Sequence, residues 1–235
     1  MWTVKTFRNI EFRDLERERV AATSLVQSHS AERILILAEP RPTFTGGRTA
    51  QESDLVWDAA TREERGVVVA PVGRGGQWTY HGPGQIVVYP IASLRHLTGS
   101  SRRVEWFLNE FRQAIQRALT AVAVKSVTGD RPYGVYVEGS KLVSFGISVE
   151  RGVISHGAAI YGEDQAPFFR GIHGCGAADV GVTAISTITG KFDWEECVSH
   201  LIPCIEMAFH SRKTCYPRSL IDSTQRETPC GSSRL

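Results

Sequence analysis

The chain reads as an α+β fold (α/β in the broad sense): a mostly antiparallel, mixed sheet with helices packed against it. Three observations predict this. Short aliphatic runs bounded by Gly and Pro alternate with stretches of helical period. The middle of the chain carries three consecutive strand-like runs, YGVYV, KLVSFGISV and VISHGAAIY. The segments between them, EGS and ERG, are turn-like and Gly-bearing, so the runs form a meander.

The remaining elements follow in order. Phe12 to about Gln27 has helical spacing, and ERILILAEP is a strand ending in a Pro-rich turn. GVVVAPV and IVVYPIASL are strands flanking a Gly-rich stretch. The clearest helix starts after Ser100 or Ser101, either of which can cap it. Its stripe of Val104, Phe107, Leu108, Phe111, Ile115, Ala118, Leu119 and Val122 puts one wide apolar face on the core. After the meander come a short helical segment at Thr183–Thr189 and a helix from Asp193 to about His210, which Pro203 is expected to kink or divide. From Ser211 the chain turns to Ser, Thr, Arg and Pro. Residues 1–210 are therefore expected to form one catalytic-sized domain, and 211–235 a mobile tail.

Composition narrows the function. A net charge of +2 argues against nucleic acid or an anionic membrane as partner, although a local basic patch could still meet an acidic carrier protein. The first twenty residues lack the apolar core of a signal peptide, and the longest aliphatic run is too short to span a bilayer, so a cytoplasmic protein is expected. Five cysteines, with no CxxC pair, argue against a disulfide framework or a structural zinc. Cys197 and Cys204 fall in a helical pattern and read as small buried hydrophobes; Cys215 and Cys230 lie in the tail. Cys175 differs, standing between glycines in GIHGCGAADVG.

Residues 73–85, GRGGQWTYHGPGQ, hold five glycines in thirteen positions, far more than a hairpin needs. Either the backbone approaches a ligand here or this is a long loop of accidental composition. In KLVSFGISV, strict alternation puts Lys141 on one face with Val143, Phe145, Ile147 and Val149. Such a lysine either snorkels from the sheet edge or sits in a partly desolvated pocket, where its ammonium would be disfavoured. His156 precedes Gly157, Ala158 and Ala159, three small residues that leave room beside it.

These motifs together resemble the lipoyl(octanoyl) transferases. RGGQWTYHGPGQ is similar to that family's RGG–YHGPGQ signature. YGVYVEGSKLVSFGISV resembles its GV-x-V-x-G-x-K-[IL]-x-S-x-G strand pair, SHG its HG motif, and GCG followed by VT its CG…VTS segment. The resemblance runs from about Pro42 to Gly190. It implies the fold of the biotin and lipoate protein ligases and the transfer of an octanoyl group from octanoyl-acyl carrier protein to a lysine of a lipoyl domain. The acceptors would be the lipoyl domains of 2-oxoacid dehydrogenases and the glycine cleavage H protein. It implies no cofactor, neither ATP nor metal, because the thioester is already activated; a monomer is expected. By position, Cys175 would be the nucleophile that carries the acyl group and Lys141 the base that deprotonates it. Arg74, Gly75, Gly76, Gln77, Trp78, Thr79, Tyr80 and His81, with Ser144, Phe145, Gly146, His156, Gly157 and Ala158, would line the acyl site.

A thiolate suits thioester exchange and needs a nearby cation or base to form near neutral pH. Two departures stand out: Gly174 replaces the family's proline before the cysteine, and HGAAIYG replaces an HGLALN-like stretch, widening the expected acyl pocket at Ala158. Two other readings keep the fold, an ATP-dependent lipoate or biotin ligase and a non-catalytic relative that binds carrier proteins.

Overall fold

A computed structural model describes residues 1–125, 134–173 and 181–210. The segment 211–235, expected as a tail, lies outside the described residues, as do Cys175, Cys215 and Cys230.

Nine strands and seven α-helices follow the chain among the described residues. The strands are β1 (Thr3–Ile10), β2 (Arg33–Pro40), β3 (Thr43–Gly46), β4 (Val68–Pro71), β5 (Trp78–His81), β6 (Gln85–Ser93), β7 (Gly134–Val137), β8 (Ser140–Glu150) and β9 (Val153–Tyr161). The helices are α1 (Phe12–Ser28), α2 (Ala59–Glu64), α3 (Leu94–Thr98), α4 (Val104–Ala121), α5 (Ala166–Phe169), α6 (Ile185–Thr189) and α7 (Trp194–Ala208). Six strands form one sheet in the order β1-β2-β6-β9-β8-β7, antiparallel except for β1 against β2. A second sheet, β4-β3-β5, pairs β3 parallel to β4 and antiparallel to β5.

The large sheet is buried on both faces, which is why β6 and β9 are buried at every position. On one face α4 and α7 lay down Phe107, Phe111, Ile115, Leu119, Val198, Leu201 and Ile205 over Leu35, Val88, Val143 and Ile160. Burying each such side chain contributes about 1.5–3 kcal/mol. On the other face α1 covers the sheet through Phe12, Leu15, Ala22 and Val26. The small sheet adds a third cluster in which Phe44 and Tyr80 meet Ile172, with Trp57 and Phe168 at its border.

The expected meander is present, and so is the α+β arrangement. Several elements differ from the sequence reading. β1, β3 and β5 were not expected, and the GVVVAPV strand belongs to the small sheet rather than lying beside β6. The long helix opens at Val104 after Arg103, with no side-chain cap; Ser100 and Ser101 lie outside it. There the Ser100 hydroxyl accepts from Arg102 N–H at 3.3 Å, ordering the approach to the helix instead. Pro203 neither ends nor divides α7, which runs through it. Pro203 sits on the exposed side of the helix, so water can satisfy the carbonyl its missing N–H leaves unbonded. Cys197 is buried as expected, while Cys204 is only half-buried. Among the described residues no helix is long and apolar enough to cross a membrane.

Candidate active site

Lys141 is placed by a β-bulge. In the β7–β8 ladder Gly134 pairs with Ser144 and Val135 with Val143, but Tyr136 pairs with Lys141, so Leu142 is an extra residue. Directly paired residues share a face. Val135 and Val143 enter the core beneath α4. Lys141 therefore leaves the opposite face, with Tyr136, Gly134 and Ser144. This corrects the strict alternation expected from the sequence, which grouped Lys141 with Val143 and Phe145. The side chain is half-buried, and Nζ stands 5.8 Å from the centroid of the Tyr136 ring. Its backbone is held on both sides by the segment after residue 180: Lys141 N–H donates to Gly181 C=O at 2.8 Å, and Thr183 N–H donates to Lys141 C=O at 2.9 Å.

The Gly-rich stretch is half loop and half strand. Trp78, Thr79, Tyr80 and His81 form β5, while Gly73–Gln77 folds over β8, with Gly75 N–H donating to Ile147 C=O at 3.2 Å. The loop brings in a buried cation. Arg74 Nη2 donates to the Thr45 carbonyl at 2.7 Å and to its hydroxyl at 2.9 Å, and Nη1 donates to Gly75 C=O at 3.0 Å. Glycines make this packing possible. A β-carbon on Gly146 would stand 3.0 Å from Arg74 Cδ, and one on Gly47 would strike the Gly76 carbonyl at 2.2 Å. Gly76 itself adopts φ +88°, a conformation that favours glycine. Gln77 accepts Gly47 N–H through its carbonyl at 3.2 Å. Trp78 Nε1 donates to Gln51 C=O at 2.6 Å, and Tyr80 stacks on Phe168 with centroids 4.3 Å apart.

A polar band runs from this loop across the large sheet. The hydroxyls of Ser144 and Tyr161 lie 2.6 Å apart. Burial pushes that phenol up to about 12, against the opposing pull of the Ser144 hydrogen bond and of the Arg74 charge, so it stays neutral. His81 is buried with Nδ1 3.2 Å from Gln85 Oε1; desolvation first, then the Arg74 charge, depress it to about 3. His156 has φ +58°, rare for a residue with a β-carbon. The twist turns its ring toward α1, where Nε2 is 3.7 Å from Glu16 Oε1 and the ring meets Tyr89 edge-on at 5.6 Å. Burial, followed by the charges of Arg19 and Arg74, lowers it to about 2. Both imidazoles are therefore neutral near pH 7.

The sequence-predicted residues thus fall into groups. Lys141, Ser144 and Gly146 share one face of β8, and the loop carrying Arg74, Gly75 and Gly76 packs over it at Gly146 and Ile147, while Thr79 lies in the small sheet. Phe145 and Ala158, paired across β8 and β9, turn to the opposite core, where Phe145 meets Phe111 at 5.7 Å. Gly157 lies against β6: a β-carbon there would meet the Val88 carbonyl at 2.0 Å. Cys175 lies outside the described residues, six positions before the Gly181 that grips Lys141.

Sequence reasoning missed Thr45, Tyr136 and Tyr161. Tyr136 sat in plain view at a variable position of the strand-pair motif, and Tyr161 at the site of a family asparagine. Thr45 had no local signal, because its role depends on an arginine 29 positions away in the chain.

Comparison with known proteins follows the same lines. Residues 14–206 match the family model of the lipoyl protein ligase A/B catalytic domain. The octanoyltransferase of Alkaliphilus metalliredigens is 33% identical over 186 residues, covering 78% of this chain and 84% of that one. The octanoyltransferase of Syntrophobacter fumaroxidans is 35% identical over 157 residues, 67% of this chain and 68% of its own. Among solved structures, a lipoate-protein ligase A bound with ATP superposes with TM-score 0.71 at 12% identity, covering 89% of this chain and 85% of that one. A bipartite lipoate protein ligase from Thermoplasma acidophilum superposes with TM-score 0.65 at 13% identity, covering 89% and 85%. These structural likenesses concern the fold.

Proposed function

From the premise that this chain belongs to the lipoyl protein ligase A/B catalytic-domain family, we propose that it moves an octanoyl group from an acyl carrier protein thioester to a lysine of a lipoyl domain. It is an acyltransferase of the octanoyltransferase kind, and residues 1–210 act as one catalytic domain. The observation that carries the reading is the placement of Lys141. A bulge turns this one lysine out of the core and onto the face shared by Ser144, Gly146 and Arg74, and its backbone is tied to the segment that follows Cys175.

The chemistry runs in two displacements. Lys141, as the neutral amine, takes the proton of the Cys175 thiol, and the thiolate attacks the thioester carbonyl of the donor. A new carbon–sulfur bond forms, the donor's carbon–sulfur bond breaks, and the carrier's thiolate leaves with the proton that Lys141 returns. The amine of the acceptor lysine then attacks the enzyme thioester, giving up a proton through Lys141 as the amide forms and Cys175 is released. Neither step needs ATP, because the thioester supplies the activation. Arg74 is suited to hold the carbonyl end of the acyl group, being a permanent cation fixed by Thr45 beside two neutral histidines.

The test is transfer with purified components: octanoyl-acyl carrier protein, an apo-lipoyl domain and this protein, without nucleotide. Octanoylation of the acceptor lysine is expected, falling by orders of magnitude in Lys141→Arg, since guanidinium does not release its proton in this range. Transfer only with free octanoate and ATP would replace this reading with a ligase.

A further inference from the structure

Beneath Lys141 lies an aromatic ring, and three features of the chain put it there. Tyr136 pairs with Lys141 across the β7–β8 ladder, so both side chains leave the same face. A β-carbon on Gly134 would meet the Tyr136 ring at 2.6 Å, so the ring folds back along its own strand over a residue with no side chain. The bulge at Leu142 then turns Lys141 toward that ring instead of into the core. Nζ ends 5.8 Å from the ring centroid, inside the cation–π reach of about 6 Å. Tyr136 is only 7% exposed, so the ring is held where it lies.

We propose that Tyr136 is the positioning residue for Lys141: its ring face sets the direction of the amine above β8 and how tightly that amine holds its proton. The inference rests on the reading of Lys141 as the proton-transfer group. A π face attracts the ammonium and not the neutral amine, so it stabilises the cation that forms when Lys141 takes a proton. Among the described residues, the other titratable groups on this side are Tyr161 from β9, which stays neutral, and Arg74 from the loop before β5, a permanent cation. Glu138, in the β7–β8 turn, is exposed. The segment Gly181–Thr183, which grips the Lys141 backbone, carries no charge.

The experiment is the pH profile of octanoyl transfer in Tyr136→Phe, Tyr136→Leu and Gly134→Ala, with Lys141→Arg measured beside them. Tyr136→Phe keeps the ring face and should retain the parent profile. Tyr136→Leu removes it, so the acid limb should move about half a pH unit lower, with a plateau about tenfold down as the amine loses its alignment. Gly134→Ala displaces the ring with a methyl group and should shift the profile the same way; it decides the matter if Tyr136→Leu does not fold. Parent-like profiles in both Tyr136→Leu and Gly134→Ala would overturn the inference, as would a Tyr136→Phe profile that follows Tyr136→Leu. The underlying reading fails separately: Lys141→Arg with near-parent turnover removes Lys141 from proton transfer, whereas an inactive Lys141→Arg beside an unaltered Tyr136→Leu removes only Tyr136.

Discussion

The hydroxyls of Ser144 and Tyr161 lie 2.6 Å apart, so one buried tyrosine ties β9 to β8 through a side-chain hydrogen bond as well as through the ladder. Tyr161→Phe keeps the ring in its core and leaves the Ser144 hydroxyl without its partner. A loss of about 1–3 kcal/mol is expected, the cost of stranding buried polar groups. Urea unfolding with an unchanged m-value would measure it. A variant as stable as the parent would mean that water replaces the phenol at no cost.

Arg74 is fixed by a fork onto Thr45, and lysine cannot reproduce that fork with a point charge. Arg74→Lys should lose most transfer activity while keeping the charge. Thr45→Val, which removes only the hydroxyl acceptor, should show a smaller loss of the same kind. Steady-state kinetics on both would reveal whether geometry or charge matters; full activity in Arg74→Lys would assign the role to charge alone.

Gly157 has a packing reason that precedes any contact with substrate. A methyl group there would overlap the Val88 carbonyl, which cannot move without disturbing the centre of the sheet. Gly157→Ala should cost about 3 kcal/mol through strain, visible as a lower denaturation midpoint. A fully stable variant with an altered acyl-chain preference would show instead that Gly157 borders the acyl group.

How much of this was written in the chain depends on how local each cause is. The meander was legible because YGVYV, KLVSFGISV and VISHGAAIY are long enough for turns and residue types to agree. β3 and β5 were hidden because TFTG and WTYH are four residues each and form strands only through pairing in the small sheet, with one another and, for β3, with β4. The bulge at Leu142 was invisible: alternation is a rule about regular strands, and only the partner strand reveals the extra residue. For the same reason the resemblance could nominate Lys141 while its face was misassigned. Thr45 and Tyr161 matter through Arg74 and Ser144, which are distant in the chain.

Two buried neutral histidines give the fold a pH limit. His81 and His156 sit far below the ordinary imidazole value of about 6.5, so the unfolded chain binds more protons than the folded one beneath that pH. Their contribution is complete above about pH 6.5 and declines as pH falls toward the folded values, by up to about 1.4 kcal/mol per pH unit for each. Urea titrations at pH 7 and 5.5 should show the loss, with a shallower slope in His156→Gln. Equal stability at both pH values would mean that these imidazoles are charged or solvated in the folded protein.

The central claim is that the acyl group rests on this protein during transfer, on Cys175. Incubating the protein with octanoyl-acyl carrier protein and no acceptor, followed by intact mass and peptide mapping, tests it directly. The account predicts a single octanoyl adduct on Cys175, removable by neutral hydroxylamine as a thioester must be. It also predicts slower labelling at the same position in Lys141→Ala, because Lys141 supplies the thiolate. Acceptor transfer proceeding at full rate in Cys175→Ala, with no adduct on any cysteine of the parent, would contradict it and leave direct attack by the acceptor lysine.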